Sequence, residues 1–521
     1  MLFTQLILSL GGAVFSHAAA APTRCSPSFI TKPDLIGGSI LNLQANEVHN
    51  YSAVSLAPGT NNGGRYTINF CNVTVTYTHP GWNDTVNTQV WLPLDDWNGR
   101  FQGLGGGGYA TGFGSIYLTY AVAQGYSSAS TDGGFATGAT VIPTDLSWAL
   151  SSKGNVNWFL FENYASKATN DMAIIGKQIT NSYYGKAAKY SYFTGCSGGG
   201  RQGLMMAQTF PDAFDGILAI SPAINLETFI PAGYWPEQVM NQNKYYPSPC
   251  EVEGFTKAAV KACDRMDGVE DGIISDPDIC NFTAYSFVGQ NFTCNGIRHS
   301  LTASGAQVVD AAWSGSGKEG WFGVNKDAAI SSYYVPTTCS GNGSCHSSGA
   351  PLFGKWVSNL VAKDSDFAIN NMTDAAFFKA LHASTAQYSS FVGNVESDLS
   401  SFKANGGKMI TWHGLADEAI PPNGTIKYYE EVLKNDPEAQ DFYRFFEAPG
   451  VAHCYGGLGP IPNGAISQLV AWVEKDDAPA TLHATNGNNN TARDLCPYPL
   501  QQKYAGGDAR KPASFVCARR A

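Results

Sequence analysis

Three short stretches of the sequence carry residue types that together could perform nucleophilic catalysis. Ser197 lies in the glycine-rich stretch TGCSGGGRQG, Asp417 in HGLADEAIPP and His453 in PGVAHCYGG. A serine hydroxyl is a weak nucleophile until a nearby base takes its proton, and a carboxylate can orient that base. The three stretches therefore predict a Ser-His-Asp triad.

Ser197 is the central residue of a G-x-S-x-G motif, Gly195-Cys196-Ser197-Gly198-Gly199. The pattern predicts a strand at 189–195 and a helix at 199–210. Strand, sharp turn and helix together are typical of the nucleophile elbow of α/β-hydrolases, whose strained turn needs small neighbours. The first amides of the new helix would face a developing negative charge. The alternative interpretation is a glycine-rich turn with an incidental serine.

The order of the other two triad members follows the α/β-hydrolase pattern, in which an acid and then a histidine come after the serine. We predict His453 as the base because it follows the last predicted strand, 441–450. His413, at the end of an earlier strand, is the alternative. Asp417 comes directly after that earlier strand and is the predicted acid, with the adjacent Glu418 as its competitor.

The oxyanion of an acyl-transfer reaction needs two backbone N–H donors. Gly198, which follows the nucleophile, is one predicted donor. Gly106 or Gly107, in the loop GLGGGGY, is the other, since glycine lets the backbone approach closely. The loop also matches the dinucleotide motif G-x-G-x-x-G, but that motif needs a helix starting within it, and YATGFGSIY is a poor helix start.

A second kind of chemistry is indicated by the stretch CDRMDGVEDGIISDPDIC. Asp264, Asp267 and Asp271 are closely spaced, and two glycines would let backbone carbonyls turn inward. Calcium takes six to eight such oxygen ligands, whereas magnesium dehydrates reluctantly and zinc favours histidine or cysteine. We therefore predict a calcium loop, which a Cys263–Cys280 disulfide would close. The alternative is an acidic turn on the surface.

The elements that must position these residues alternate between strand and helix in two blocks, 60–226 and 403–475. Such alternation predicts an α/β fold with a mostly parallel sheet and helices on both faces, here an α/β-hydrolase fold with a large inserted lid domain. The predicted division is a signal peptide at 1–21, a first core part at 22–226, a calcium-carrying lid at 227–400 and a second core part at 401–521. A long helix is predicted within 155–184.

Several features of the sequence predict an extracellular protein. The N-terminus combines an apolar stretch with small residues, as a signal peptide does, and an even number of cysteines, 12, suggests disulfides. The net charge of −10, without a Lys/Arg cluster, argues against nucleic acid and membrane surfaces as partners. N-x-S/T sequons predict a glycoprotein. They lie at Asn50, Asn72, Asn83, Asn281, Asn291, Asn342, Asn371, Asn423 and Asn489.

These motifs together resemble the tannase and feruloyl esterase family of secreted fungal hydrolases, from about Cys71 to Cys517. The most specific matches are GCSGGGRQG, HGLADEAIPP, GVAHC, YYPSPCE and ACDRMDGVEDG. The resemblance implies an α/β-hydrolase core, a lid with calcium, and the triad Ser197, Asp417 and His453. Its implied calcium ligands are the side chains of Asp264, Asp267 and Asp271 and the backbone oxygens of Val269 and Ile273.

The resemblance also implies a Cys196–Cys454 disulfide, which would join the neighbours of the serine and the histidine. Cys339 and Cys345 are close in sequence. The remaining predicted pairs are Cys25–Cys71, Cys263–Cys280, Cys496–Cys517, Cys339–Cys345 and Cys250–Cys294.

The expected function is hydrolysis of phenolic-acid esters, either small aromatic esters or feruloylated polysaccharide. Feruloyl esters are favoured by GYWPEQVM and by the lack of a Lys-Arg pair in 281–400, with tannase as the alternative. Aromatic residues of the lid, Tyr234, Trp235, Tyr245 and Tyr246, either line the acyl pocket or only pack the lid. A non-catalytic carbohydrate-binding glycoprotein is the more remote alternative, and the sequence does not indicate the oligomeric state.

Overall fold

One nine-stranded sheet organises the protein. The computed structural model describes residues 24–61, 63–135, 143–317, 320–341 and 343–520, so the predicted signal peptide and the Asn342 sequon lie outside the described residues. Numbered along the chain, the strands of this sheet are β1 Ser39–Ser55, β2 Gly64–Thr78, β3 Val86–Pro93, β4 Arg100–Leu104, β5 Ser127–Thr131, β6 Tyr190–Cys196, β7 Gly216–Ile220, β8 Lys408–Gly414 and β9 Tyr443–Ala448.

The strand order is β1-β2-β3-β5-β4-β6-β7-β8-β9. The pairs β1–β2, β2–β3 and β3–β5 are antiparallel, and every pair from β5 to β9 is parallel. Short connections between the first three strands explain the antiparallel part, because a parallel crossover needs a dozen or more residues. The arrangement is the predicted α/β-hydrolase fold, with a parallel part confined to six strands.

Helices cover both faces of the sheet, because the buried strand residues alternate between two apolar clusters. Phe193, Ile217 and Met409 belong to the cluster that contains residues of the helices Ala168–Tyr184 and Gly198–Thr209, whereas Leu218 and Ile410 belong to the one that contains residues of the helix Ala465–Lys475. The α-helices are α1 Ser115–Ala123, α2 Trp158–Glu162, α3 Ala168–Tyr184, α4 Gly198–Thr209, α5 Leu226–Ala232, α6 Trp235–Asn243, α7 Pro249–Cys263, α8 Ala303–Ser314, α9 Pro351–Trp356, α10 Asp374–Val392, α11 Ser400–Ala404, α12 Pro422–Asn435 and α13 Ala465–Lys475.

The chain between β7 and β8 forms a large insertion that spans the range predicted for the lid. It contains α5 to α11 and two small hairpins, Asn291–Cys294 with Ile297–Ser300 and Thr337–Cys339 with Cys345–Ser347. Its apolar side chains share one core with residues of the first core part, among them Tyr109 and Phe161, and this core also reaches Ala419 and Ile420 beside Asp417. The insertion is therefore packed directly onto the loop that carries the predicted acid.

The single helix predicted within 155–184 is divided in the structure. A π-helical segment, Asn163–Lys167, separates α2 from α3. The buried guanidinium of Arg201 donates hydrogen bonds to the carbonyls of Tyr164 and Ala165, each at 2.9 Å. These bonds satisfy carbonyls that a widened turn frees from the regular helical ladder.

After α13 the chain ends in two hairpins, Leu482–Asn486 with Thr491–Leu495 and Leu500–Tyr504 with Phe515–Arg519. All six predicted disulfides are confirmed: Cys25–Cys71, Cys196–Cys454, Cys250–Cys294, Cys263–Cys280, Cys339–Cys345 and Cys496–Cys517. This density of disulfides fits an extracellular protein. Within the described ranges, none of the helices has the length and apolar character needed to cross a bilayer.

Candidate active site

Ser197 occupies a sharp turn between the last residue of β6 and the first residue of α4. Its backbone has φ 64° and ψ −122°, a conformation that is strained for a residue with a side chain. Glycine is required beside it, because a Cβ on Gly195 would lie 2.5 Å from the backbone of Gly199. The local structure is thus the elbow that the motif predicts, and the serine lies on the wall of a cavity.

Asp417 and His453 are in direct contact. The Nδ1 atom of His453 lies 2.8 Å from Oδ2 of Asp417. The other oxygen of this buried carboxylate accepts hydrogen bonds from the amides of Ala419 and Ile420, both at 2.8 Å. Burial alone would raise the pKa of Asp417, but attraction to His453 and the hydrogen bonds from two histidines outweigh burial and hold the pKa well below its usual range. Asp417 is therefore ionised at neutral pH.

The environment of His453 favours its protonated form. Burial lowers the pKa of His453, but the charge of Asp417 and its hydrogen bond raise it more, so the pKa lies above the usual value of 6.5. Glu418, the alternative acid, does not take the place of Asp417. Its carboxylate instead accepts a hydrogen bond of 3.0 Å from the backbone amide of His453, so it holds the histidine loop.

His413, the alternative base, is fully buried and contacts Asp417 from another side. Its Nε2 atom lies 3.1 Å from Oδ2 of Asp417 and 3.2 Å from the carbonyl oxygen of Ile420. A carbonyl can only accept, so Nε2 carries the hydrogen. Nδ1 lies 2.9 Å from the hydroxyl of Thr425. Both ring nitrogens are thus occupied, and the alternative assignment of His413 as the base is wrong; the residue is a second donor to Asp417.

The Cys196–Cys454 disulfide joins the elbow to the histidine loop. Its two Cα atoms are 5.9 Å apart, although 258 residues separate the cysteines in sequence. Each cysteine is the direct neighbour of a candidate catalytic residue. Ser197 and His453 consequently lie at the same cavity, with the relative position of their backbones fixed by a covalent bond.

The glycine loop after β4 lies against the start of α4, where oxyanion donors are expected. Gly107 and Gly198 both line the cavity, and a Cβ on Gly198 would be 3.2 Å from the Cα of Gly107. Gly106 is different, because its amide already donates a hydrogen bond of 3.0 Å to Oε1 of Gln202. The prediction of Gly106 as a donor is therefore wrong, and Gly107 remains the candidate beside Gly198.

The cavity at Ser197 has a volume of about 590 Å³ and mostly apolar walls. The insertion contributes Leu226, Phe229, Ile230, Tyr333 and Leu352, and the ring of Tyr333 lies 6.4 Å from that of His453. Further lining residues come from the end of β1 and the β1–β2 loop, from Phe113 and the start of α1, and from Tyr455. Apart from Tyr455, these residues lie in segments without a recognisable motif, so the sequence did not reveal them.

The lid aromatics expected at the acyl pocket pack elsewhere. Tyr234 is buried and donates a hydrogen bond to Asn370, and Trp235 contacts Phe377 and Phe378. The hydroxyls of Tyr245 and Tyr246 donate to Glu251 and Asn241 respectively. Of the two interpretations of these four residues, the structure supports packing of the lid.

The acidic loop of the insertion has the residue types that a calcium ion needs, although its carboxylates do not form a ready cluster in the described residues. Asp264 accepts hydrogen bonds from the amides of Asp271 and Gly272, and Asp267 accepts from those of Val269 and Ser275. Burial raises the pKa of Asp267, and the neighbouring carboxylate of Asp264 raises it further. Asp264 is buried and Asp267 and Asp271 are half-buried, and Asp271 is paired with Arg493 at 3.1 Å.

Most of the predicted glycosylation acceptors are accessible. Asn72 and Asn423 are half-buried, and the Oδ1 atom of Asn72, in the interior of the sheet, is buried. The remaining described sequon asparagines are exposed: Asn50, Asn83, Asn281, Asn291, Asn371 and Asn489.

Comparisons with known proteins show what the chain is similar to. Residues 71–518 match the family described as "Tannase and feruloyl esterase". The chain is 40% identical to a protein named probable feruloyl esterase from Arthroderma benhamiae, covering 100% of this chain and 99% of the relative. It is 27% identical to a tannase from Aspergillus oryzae, covering 97% and 94%. Among solved structures, tannin acyl hydrolase from Aspergillus niger superposes with a TM-score of 0.84 at 28% identity, covering 95% of both chains.

Proposed function

Because the chain belongs to the tannase and feruloyl esterase family, we propose that it is a secreted serine esterase that hydrolyses feruloyl and related hydroxycinnamoyl esters of plant cell-wall material. Family membership makes the protein a carboxylic ester hydrolase for phenolic-acid esters, in place of the non-catalytic alternative. The observation that carries the mechanism is the His453–Asp417 hydrogen bond, which the Cys196–Cys454 disulfide ties to the Ser197 elbow at one cavity.

In the proposed acylation step, Nε2 of His453 takes the proton of Ser197 as Oγ attacks the ester carbonyl. The carbonyl electron pair moves onto its oxygen, which the amides of Gly198 and Gly107 stabilise. The bond to the alcohol oxygen then breaks, and that oxygen leaves with the proton from His453. Asp417 keeps the imidazole in the required tautomer and stabilises its positive form.

In the proposed deacylation step, His453 removes a proton from water, and the resulting hydroxide attacks the acyl carbon. Breakdown of the second tetrahedral intermediate returns the proton to Ser197 and releases the phenolic acid. The nearly uncharged cavity supports an aromatic acyl group, since its apolar walls would cover both faces of a ring.

We also propose that the lid loop holds one structural Ca²⁺. The side chains of Asp264, Asp267 and Asp271 and the backbone oxygens of Val269 and Ile273 would hold it. Gly268 and Gly272 have φ of 94° and 80°, so the loop makes tight turns of the kind that such a ligand set needs. The ion would stabilise the loop, and no step of the reaction needs it.

The acyl preference is tested by comparing kcat/KM for methyl ferulate, methyl caffeate and methyl gallate. We expect ferulate or caffeate to be the better substrate, in line with the relative that shares 40% identity. Tannase is the second candidate, favoured by the close superposition on the tannin acyl hydrolase. A higher value for methyl gallate would reverse this order.

The nucleophile is tested separately with Ser197→Ala. This variant should fold normally, yet lose turnover of every ester and labelling by a fluorophosphonate probe. Turnover close to that of the wild type would remove Ser197 from the mechanism.

A further inference from the structure

The end of β1 and the β1–β2 loop supply part of the cavity lining, and this part lies outside the stretch that matches the family. Val54, Leu56 and Ala57 line the cavity, and they precede residue 71, where the match to the family begins. Phe113, just before α1, and Ile116 and Tyr117, in its first turn, also line the cavity. We call residues 54–61, Phe113, Ile116, Tyr117 and Tyr455 the outer wall.

The outer wall is held in place at both ends of the loop. The amide of Leu56 donates a hydrogen bond of 3.1 Å to the carbonyl of Ile116, and that of Asn61 donates one of 3.0 Å to Oδ1 of Asn463. Between them, Gly59 has φ 67°, and a Cβ there would lie 2.3 Å from Cδ1 of Ile220. The loop therefore lies tightly on the ends of the sheet strands, and its wall is preformed.

Several apolar side chains of the outer wall are open to solvent. Val54 is 62% exposed, Tyr455 48% and Ile116 38%. Among the described residues that line the cavity, the charged types are Glu418 and His453, and neither belongs to this wall. Apolar side chains gathered at the mouth of a pocket are typical of a surface that a ligand covers.

The chemistry of the reaction decides which part of an ester would meet this wall. The alcohol oxygen must take its proton from His453 as it leaves, so the alcohol lies on the histidine side of the cavity. Tyr455 is two residues beyond His453 and lines the cavity together with Ile116 and Tyr117. The outer wall therefore includes part of the histidine loop.

We propose that the outer wall is a subsite for an apolar alcohol moiety, either an alkyl chain or an aromatic ring. This inference rests on the proposed function and deepens it. Among phenolic-acid esters, those of hydrophobic alcohols would be the preferred substrates, because the apolar side chains Val54, Leu56 and Ile116 outnumber the polar side chains Thr60 and Asn61 in this wall.

The experiment measures kcat/KM for methyl ferulate, butyl ferulate, benzyl ferulate and feruloylated arabinose. We expect butyl or benzyl ferulate to exceed methyl ferulate by about five-fold or more, since each additional buried methylene can contribute several-fold in binding. The benzyl and butyl esters distinguish an aromatic from an alkyl occupant. Equal values for methyl and butyl esters, or a preference for feruloylated arabinose, would overturn the proposal.

The double variant V54S/I116S tests the wall itself. It should lower the butyl-to-methyl ratio to about one-third or less of the wild-type ratio, because it replaces two exposed apolar side chains that bind only the longer alcohol. Val395→Ser is the matched control, since Val395 is similarly exposed but does not line the cavity. The control should keep the wild-type ratio, and an unchanged ratio in V54S/I116S would contradict the subsite.

Failure of the proposed function would look different. If the protein hydrolyses no phenolic-acid ester, the proposed function is wrong. Binding of 1-hexanol, measured by NMR, then still tests whether the outer wall is a subsite. Weaker 1-hexanol binding in V54S/I116S than in the wild type and in Val395→Ser supports the outer wall. Equal binding in all three proteins rejects it.

Discussion

At the scale of single residues, Asp417 and Glu418 are adjacent carboxylates with different contacts to His453. Asp417 contacts the imidazole ring of His453, whereas Glu418 accepts a hydrogen bond from the backbone amide of the same residue. Sequence order alone narrowed the acid to this pair, but which one faces the ring depends on a turn whose geometry comes from the fold. The amides of Ala419 and Ile420 fix that turn by binding Asp417.

The two carboxylates should therefore respond differently to the same chemical change. Asp417→Asn should lower kcat by about 10³–10⁴-fold, because an amide no longer fixes the tautomer or stabilises the positive imidazole. Glu418→Gln should lower kcat about tenfold or less, since its amide oxygen can still accept the backbone hydrogen bond. Steady-state kinetics on methyl ferulate, with circular dichroism to confirm folding, measures both. Equal losses would contradict the assignment of the acid.

The raised pKa of His453 predicts the pH dependence of the reaction. His453 must be neutral to accept the proton of Ser197, so kcat/KM should fall as pH decreases through its pKa. Because Asp417 raises that pKa above 6.5, the acid limb of the profile should lie above pH 6.5. In Asp417→Asn, the residual activity should have its acid limb at lower pH, since the raising charge is absent. An acid limb below pH 6.5 in the wild type would contradict this reading.

At the scale of elements, prediction succeeded where a side-chain pattern and a local motif agreed. The strand, turn and helix around Ser197 follow from one apolar run and a set of glycines, and the structure has them as β6 and α4. β5 shows the opposite case. Its sequence SSAST has no large apolar residue, yet it is buried between β3 and β4, and Ser127 is hydrogen-bonded to Thr180. Only tertiary contacts place such a segment in a sheet.

The triad of the candidate site could be predicted from the sequence, but the walls of its cavity could not. The triad lies at motif-bearing strand ends, so chain order could identify it. The walls of the cavity could not be inferred in this way, because aromatic density in the lid does not tell which side of a helix faces the core. Tyr234 and Trp235 proved to be packing residues, and most of the outer wall came from segments without a motif.

The Cys196–Cys454 disulfide should connect stability and activity at this scale. Its removal in C196A/C454A should lower the free energy of unfolding by about 2–5 kcal/mol, since it closes a very long loop. Activity should also fall, because the histidine loop loses its covalent attachment to the elbow. Denaturant unfolding and kcat/KM report the two effects.

The matched control is C339A/C345A, which removes a disulfide across only 6 residues in the insertion. It should cost less stability and leave kcat/KM near the wild-type value, because neither cysteine adjoins the cavity. If C196A/C454A retained wild-type kcat/KM, the disulfide would be purely structural.

At the scale of the whole molecule, the acidic loop lies at the meeting point of three parts of the chain. Asp271 contacts Arg493 of a C-terminal hairpin at 3.1 Å. Arg520, close to the C-terminus, bridges Asp278 and Glu447, the latter in β9. Gly450, at the start of the histidine loop, packs on Ile273, where a Cβ would lie 2.7 Å from Cγ1. The conformation of this loop therefore influences the lid, the C-terminal hairpins and the histidine loop together.

Removal of the proposed Ca²⁺ should consequently destabilise the whole protein. A ligand that binds only the folded state at 100 to 1,000 times its Kd stabilises it by about 3–4 kcal/mol, so EDTA should lower Tm and added Ca²⁺, but not Mg²⁺, should restore it. Asp267→Asn should abolish this Ca²⁺-dependent difference in Tm. Glu253→Gln, at an exposed carboxylate in the same insertion, should preserve it. Equal Tm values with EDTA and with Ca²⁺ in the wild type would show that the loop is held by its own hydrogen bonds and ion pairs.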